Sequence, residues 1–311
     1  MTVSYALRGE TTHVRPELRA RICAVAKEMG YDPARTIAAR RLVGVAEQPI
    51  VNHAIAFFVG PLFASSSPYF LHLFQGVDQE ITRMQYALVI AHSYADDRQH
   101  AATLLGSLPP MITRDEVDGL IMMGNWDRAG QLAAELRQEP GFGNRPIISV
   151  ITPIPGCMNI LADDYQGGYQ AMAHLLTLGH RHIAFYPLKM ESFPHNERLR
   201  GYRQACQDAG CDVEAVLVPI EDIAEWATGT TRTRYIDPLL AVLANRTDIT
   251  AILTPNDFLA QPIADGLMQQ GYRIPEDISL VGFDDTGAWP ELHDNRLTTV
   301  AIPLIQMGQA A

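Results

Sequence analysis

Short apolar runs recur along the chain at Ala54–Val59, Ala87–Ala91, Gly119–Met123, Pro146–Ile151, His182–Tyr186, Ala251–Thr254 and Ile278–Phe283, and most gaps between them carry helical patterns. Those patterns include Tyr69–Met84, Gln166–Leu178, Glu197–Ala209 and Phe258–Gln270. A strand that is apolar at nearly every position must be covered on both faces, the environment of a parallel strand, and parallel neighbours are joined by a crossover that is usually a helix. The alternation predicts an α/β fold built of doubly wound parallel sheets. Ligands of such sheets bind outside the carboxyl ends of the strands. With 311 residues the chain has room for two or three units with their own cores.

Charge divides the chain unevenly. Up to Gly44 the basic residues Arg8, Arg15, Arg19, Arg21, Lys27, Arg35, Arg40 and Arg41 face four acids, Glu10, Glu17, Glu28 and Asp32, whereas the whole chain carries −11. A basic segment on an acidic body is the footprint of phosphate contact, because neutralised phosphates release counterions. A solvated basic helix face would give the same charge pattern. No run approaches the roughly 20 apolar residues needed to cross a bilayer, and the first residues lack a signal-peptide core, so no membrane partner and a cytoplasmic location are expected. The cysteines Cys23, Cys157, Cys206 and Cys211 form no CxxC pair and read as reduced thiols.

Specific wording goes further. Thr2-Val3-Ser4-Tyr5-Ala6-Leu7-Arg8-Gly9, with an amphipathic run after it that ends Met29-Gly30-Tyr31-Asp32-Pro33, resembles the second helix of the helix-turn-helix, and the segment C-terminal to it, in the LacI/GalR (lactose-repressor) family of transcription regulators. Val117-Asp118-Gly119-Leu120-Ile121, Asp163-Asp164-Tyr165-Gln166-Gly167-Gly168, Leu178-Gly179-His180-Arg181-His182-Ile183-Ala184-Phe185, Glu197-Arg198-Leu199-Arg200-Gly201-Tyr202, Asn256-Asp257 and Ile274-Pro275-Glu276-Asp277-Ile278-Ser279-Leu280-Val281-Gly282-Phe283-Asp284-Asp285 resemble further blocks of the same family, in order. Leu297-Thr298-Thr299-Val300 resembles its crossover back to the first subdomain.

The resemblance implies a partial helix-turn-helix head over 1–33, a hinge over 34–50 and a periplasmic-binding-protein-like body over 51–311. Its first subdomain would span about 51–162 and 293–311, and its second about 163–292. It also implies a ligand-responsive repressor that acts as a homodimer on pseudopalindromic operator DNA. Thr2, Ser4 and Arg8 would contact phosphates and Tyr5 base edges. In the family a hinge leucine wedges into the minor groove; its position here, seven after Pro33, is Arg40, with Leu42 two residues later. The chain begins inside the head motif and ends within a helix at Met307–Ala311, so the head alone is expected to bind DNA weakly, and a sugar-binding protein of the same fold without DNA activity is the alternative.

For the effector, Tyr69 and Phe70 stand where the family's aromatic pair lines the pocket, Arg198 takes the place of its effector-contacting arginine and Asp284 that of the aspartate after the strand. Asn256 follows a strand and can face the cleft, and Trp226 offers a stacking wall. Planar hydrogen-bonding groups beside aromatic faces suit a sugar, and a nucleobase or phosphorylated sugar would use the same types. Each residue also has a plainer role: Tyr69 and Phe70 as core, Arg198 as a surface ion-pair partner, Asp284 as a turn cap. An Arg198→Ala change is expected to remove the effector response and leave the fold intact. His174, His180 and His182 crowd together but lack a third ligand at recognisable spacing. Neither a Gly-x-Ser-x-Gly elbow nor a phosphate-cradling GxxxxGK[ST] loop occurs. The chain is therefore expected to bind without catalysing and to need neither cofactor nor metal.

Overall fold

A computed structural model describes residues 15–28, 52–59, 68–92, 108, 112, 116–123, 128–139, 142–186, 192–211, 231–287 and 296–311. Within the head only one helix, α1 (Pro16–Glu28), is described; it opens on proline, tolerated in a first turn, with Glu17 beside it. Thr2, Ser4, Tyr5, Arg8, Arg40, Leu42 and Trp226 lie outside the described residues.

The first sheet holds β1 (Ala54–Val59), β2 (Ala87–His92), β3 (Gly119–Met123), β4 (Ile147–Val150) and β5 (Met158–Ile160) in the order β2-β1-β3-β4-β5, and every pairing is parallel. Alternate residues serve opposite faces. Ala56 and Phe58 pack with Leu120, Met122 and the buried side of α3 (Ala129–Gln138), while Phe57 and Val59 pack with Ile121 and Met123 beneath α2 (Pro68–Arg83) and α8 (Leu304–Ala310). Both faces of the central strands β1 and β3 are covered, and for that reason these two are apolar throughout.

The second sheet repeats the scheme. It orders β6 (Ile183–Phe185), β7 (Ala251–Leu253), β8 (Ser279–Asp284) and β9 (Thr298–Ala301) side by side, again all parallel. On one face Ala184, Ile252 and Leu280 meet Leu239, Leu243, Ile263 and Leu267 of α6 (Thr231–Asn245) and α7 (Asp257–Gln269). On the other, Phe185, Leu253 and Val281 meet α4 (Asp164–Thr177) and α5 (Phe193–Asp208).

Strand positions agree with the apolar runs to within a residue or two. The short strand β5 lacks a run long enough to announce it, whereas α3 carries apolar residues at 129, 132, 133 and 136, a helical spacing not among the patterns read above. The segment from 293 onward, expected to lie with the first subdomain, contributes β9 to the second sheet through pairing with β8, and the chain reaches the first sheet only with α8. There α8 crosses α2 at a glycine pair: a Cβ on Gly76 would strike the Ile305 carbonyl, and one on Gly308 the Leu73 carbonyl.

A groove of about 390 Å³ beside Ala311 is lined mainly by apolar side chains, among them Ile55, Val77, Ile81 and Ile148. It opens by Gly119, at the amino end of β3, the end opposite to where such sheets bind ligands.

Candidate functional site

Polar side chains converge at the carboxyl ends of the second sheet's strands. Three glycines allow it. Gly168 of α4 and Gly201 of α5 let the two helices touch backbone to backbone, since a Cβ on Gly168 would meet the Arg198 backbone and one on Gly201 the Tyr165 carbonyl. Gly167 gives way to the Phe283 ring in the same manner. Arg198 is thereby pressed between α4 and the end of β8.

The Arg198 side chain is 3% exposed, and each of its three guanidinium nitrogens meets an oxygen. Its Nε donates to Asp164 Oδ1 at 2.8 Å, Nη1 donates to the Pro255 carbonyl at 2.6 Å, and Nη2 lies 3.0 Å from Asp284 Oδ1 as an ion pair. The Phe283 ring lies beneath it, with Cζ 3.7 Å from the centroid, a cation–π arrangement. Burial works against the charge on Arg198, but Asp284 and Asp164 outweigh it and hold the guanidinium more firmly protonated than usual. Burial pushes the Asp284 carboxyl up to about 7 even though Arg198 pulls it down. Asp284 also has φ +106°, a backbone conformation rare outside glycine and common at functional sites.

Around this triad several buried polar atoms have no hydrogen-bond partner: Tyr202 Oη, His195 Nδ1 and Asp284 Oδ1, the last of which meets Arg198 as a charge and not along a hydrogen-bond axis. Buried polar groups are normally paired, so three such atoms gathered at one strand end mark the place out. Burial and the neighbouring Arg198 push the His195 ring down to about 3, so it is an uncharged imidazole at neutral pH. Next to them Asp257, 4% exposed, accepts from Thr299 Oγ1 at 2.6 Å and from the Thr286 amide at 3.1 Å, tying α7, β9 and the turn after β8 together.

From the first subdomain, Tyr69 opens α2, its ring edge-on to Phe70 with centroids 5.2 Å apart. Burial, and then Asp284, raise the Tyr69 hydroxyl well above its ordinary range, while Arg198 opposes them. Tyr69 thus shares the electrostatic environment of the triad although it belongs to the other sheet.

Residues 172–311 match the periplasmic binding protein-like domain family. Along 99% of its length the chain is 26% identical to the transcriptional regulator DegA of Bacillus subtilis, covering 84% of that protein. It is 27% identical to the transcriptional repressor PurR of Aliivibrio fischeri, covering all of this chain and 85% of the relative. Along its whole length the chain is thus similar to HTH-type transcriptional regulators. Among solved structures, a CelR–cellobiose complex superposes with a TM-score of 0.65 at 23% identity, covering 99% of this chain and 86% of that one.

Of the pocket residues that the LacI/GalR resemblance implies, Tyr69, Arg198 and Asp284 come together at one site. Phe70 accompanies Tyr69, and both pack against the core of the first sheet, the plainer of their two expected roles. Arg198 is buried between carboxylates, which removes the surface ion-pair reading. Asn256 stands at the end of β7 as expected, but its Oδ1 is spent on capping α7 through the Leu259 amide at 2.9 Å. Sequence reasoning misses the site roles of Asp164, His195, Tyr202 and Asp257. For α5 a signal is present: His195, Arg198 and Tyr202 fall at i, i+3 and i+7, one face of a helix. Two of the three crowded histidines are occupied elsewhere, with His180 Nδ1 2.8 Å from Thr250 Oγ1 and His182 Nδ1 3.3 Å from Asp248. Among the described residues no helix is long and apolar enough to cross a membrane.

Proposed function

We propose that this chain is a ligand-responsive transcription regulator whose small-molecule effector binds between the two sheets, against Tyr69, Arg198 and Asp284. The observation that carries the reading is the convergence of these three side chains from two separate sheets, in a chain similar along its full length to known regulators. A molecule held by Tyr69 on one side and by the triad on the other favours the state in which both sides touch it. Binding therefore shifts the population toward closure and changes the spacing of the heads in a dimer. The relatives, a ribose operon repressor and a regulator solved with cellobiose among them, suit a polar effector in this position, a sugar above all. The DNA-contacting residues proposed are Thr2, Ser4, Tyr5 and Arg8 in the head, with Arg40 and Leu42 in the hinge, acting on a pseudopalindromic operator as a homodimer.

Fluorescence anisotropy with DNA from the promoter next to its gene tests the reading. The chain, and a form extended upstream, are titrated with and without candidate effectors. Sequence-specific binding with a steep salt dependence, altered by a small molecule, is the expected result. Binding that no effector alters would refute the ligand-responsive part, and absence of specific binding by both forms would leave a sugar-binding protein of the same fold.

A further inference from the structure

Away from the candidate site, the far end of α5 brings two cysteines together. The helix stops at Asp208 with Ala209 as its cap, and Gly210 takes φ +67°, the left-handed conformation that turns the chain at a helix end. The Gly210 amide donates to the Gln207 carbonyl at 3.1 Å and the Cys211 amide to the Cys206 carbonyl at 2.8 Å. In a helix end bonded this way, the residue after the turn packs its side chain back onto the third residue from the end of the helix. Here both of those residues are cysteine. With standard bond lengths, the 2.8 Å hydrogen bond keeps their α-carbons within roughly 6.7 Å, inside the span of about 4.4–6.8 Å that a disulfide bridges.

Side-chain packing agrees with the backbone. Buried Cys206 belongs to the core that α4 and α5 form on the second sheet, and Cys211 packs against that same core. The Cys211 sulfur lies 3.8 Å from the Ala209 carbonyl, back over the end of α5. Both residues are thiols, and Cys211, half-buried, is the one a reagent reaches first. We propose that Cys206 and Cys211 are a reversible dithiol–disulfide pair whose co-reactant is a low-molecular-weight disulfide of the glutathione type. The Cys211 thiolate attacks one sulfur of that disulfide and bonds to it; the other half leaves as a thiolate and takes up the proton that Cys211 released. The Cys206 thiolate then attacks the Cys211 sulfur, the bond between 206 and 211 forms, and the second half leaves with the Cys206 proton. Two electrons and two protons pass from the protein to the reagent, and exchange with a dithiol reductant returns them. The closed bridge fastens the end of the helix that carries Arg198, with Tyr202 one turn before Cys206.

Equilibration of the full, folded chain with oxidised and reduced glutathione, followed by acid quenching, alkylation in denaturant and tryptic mass mapping, tests this. Both cysteines fall in one tryptic peptide, 204–232. In the parent chain this peptide should lose two hydrogens and accept no alkylating group, and dithiothreitol should restore two alkylatable thiols. In Cys206→Ala the mixed disulfide at Cys211 should persist, because the thiol that resolves it is gone. In Cys211→Ser, Cys206 should stay a thiol, shielded from the reagent by its burial. Circular dichroism confirms that each variant is folded, and Cys211→Ser, changed at the half-buried position, serves should Cys206→Ala fail to fold. Two cysteines that act only as small apolar side chains would leave peptide 204–232 with both thiols in the folded parent, and that result overturns the proposal. A parent peptide that stops at a glutathione adduct on Cys211, a bond from Cys211 to a second chain, or an internal bridge that forms only in denaturant would overturn it equally.

Discussion

Arg198 changes meaning once its surroundings are known. Removing a guanidinium that compensates two buried carboxylates leaves uncompensated charge in the interior, so Arg198→Ala should lower unfolding stability by about 3–5 kcal/mol rather than leave the fold intact. Chemical denaturation read by circular dichroism checks this, and an Arg198→Ala/Asp284→Asn double variant should recover part of the loss. Asp284 carries a pH dependence of its own. Its folded-state pKa lies above the ordinary carboxylate value, so its contribution to stability is intact below about pH 4 and lost as pH rises through about 7. Asp284→Asn should therefore be more stable than the parent at pH 7, by on the order of 1–2 kcal/mol, with little difference at pH 4. Urea midpoints at the two pH values decide it, and a parent that gains stability relative to the variant between pH 4 and 7 would contradict the assignment.

At the level of elements, the site depends on how closely α4 and α5 approach. Gly201→Ala places a methyl group against the Tyr165 carbonyl, and the helices must separate. Overpacking of this kind costs roughly 1–3 kcal/mol. Because the displaced helix carries Arg198, His195 and Tyr202, effector affinity should fall together with the thermal midpoint. Gly308→Ala, at the α2–α8 crossing, strikes the Leu73 carbonyl instead. It should lower the midpoint with a smaller effect on effector affinity, since α8 contributes none of the triad. Parallel calorimetry and melting of the two variants separates a positioning effect from a general loss of stability.

For the whole molecule, an effector held at the proposed site between the two sheets would tie binding to stability. A bound effector at a hundred times its dissociation constant should stabilise the chain by about 2.7 kcal/mol. Tyr69→Ala should weaken that effect by removing the contact contributed by the first sheet, while Tyr69→Phe keeps the ring and isolates the part played by the hydroxyl. A shift unchanged in Tyr69→Ala would place the effector on the second sheet alone. Charge acts at the same scale. With a basic excess before Gly44 and an acidic remainder, the proposed DNA attraction falls on the head, and operator affinity should drop steeply as salt is raised.

The fold was legible in the sequence because buried parallel strands cannot hide: Ala54–Val59, Gly119–Met123 and the other runs are apolar by the physical need to cover two faces. Arg198, Asp284 and Tyr69 were legible through wording shared with a family. Local pattern carries that much, since periodicity and strand ends are properties of neighbouring residues. It could not reveal that Arg198 is held by Asp164 from another helix and by the Pro255 carbonyl from a third segment, that β9 joins the second sheet, or that Asn256 spends its carbonyl on a helix cap. The first two are contacts between residues far apart along the chain, and the third depends on the backbone geometry of a helix start. The charge balance of the site is the sum of such long-range contacts, and only the folded molecule assembles it.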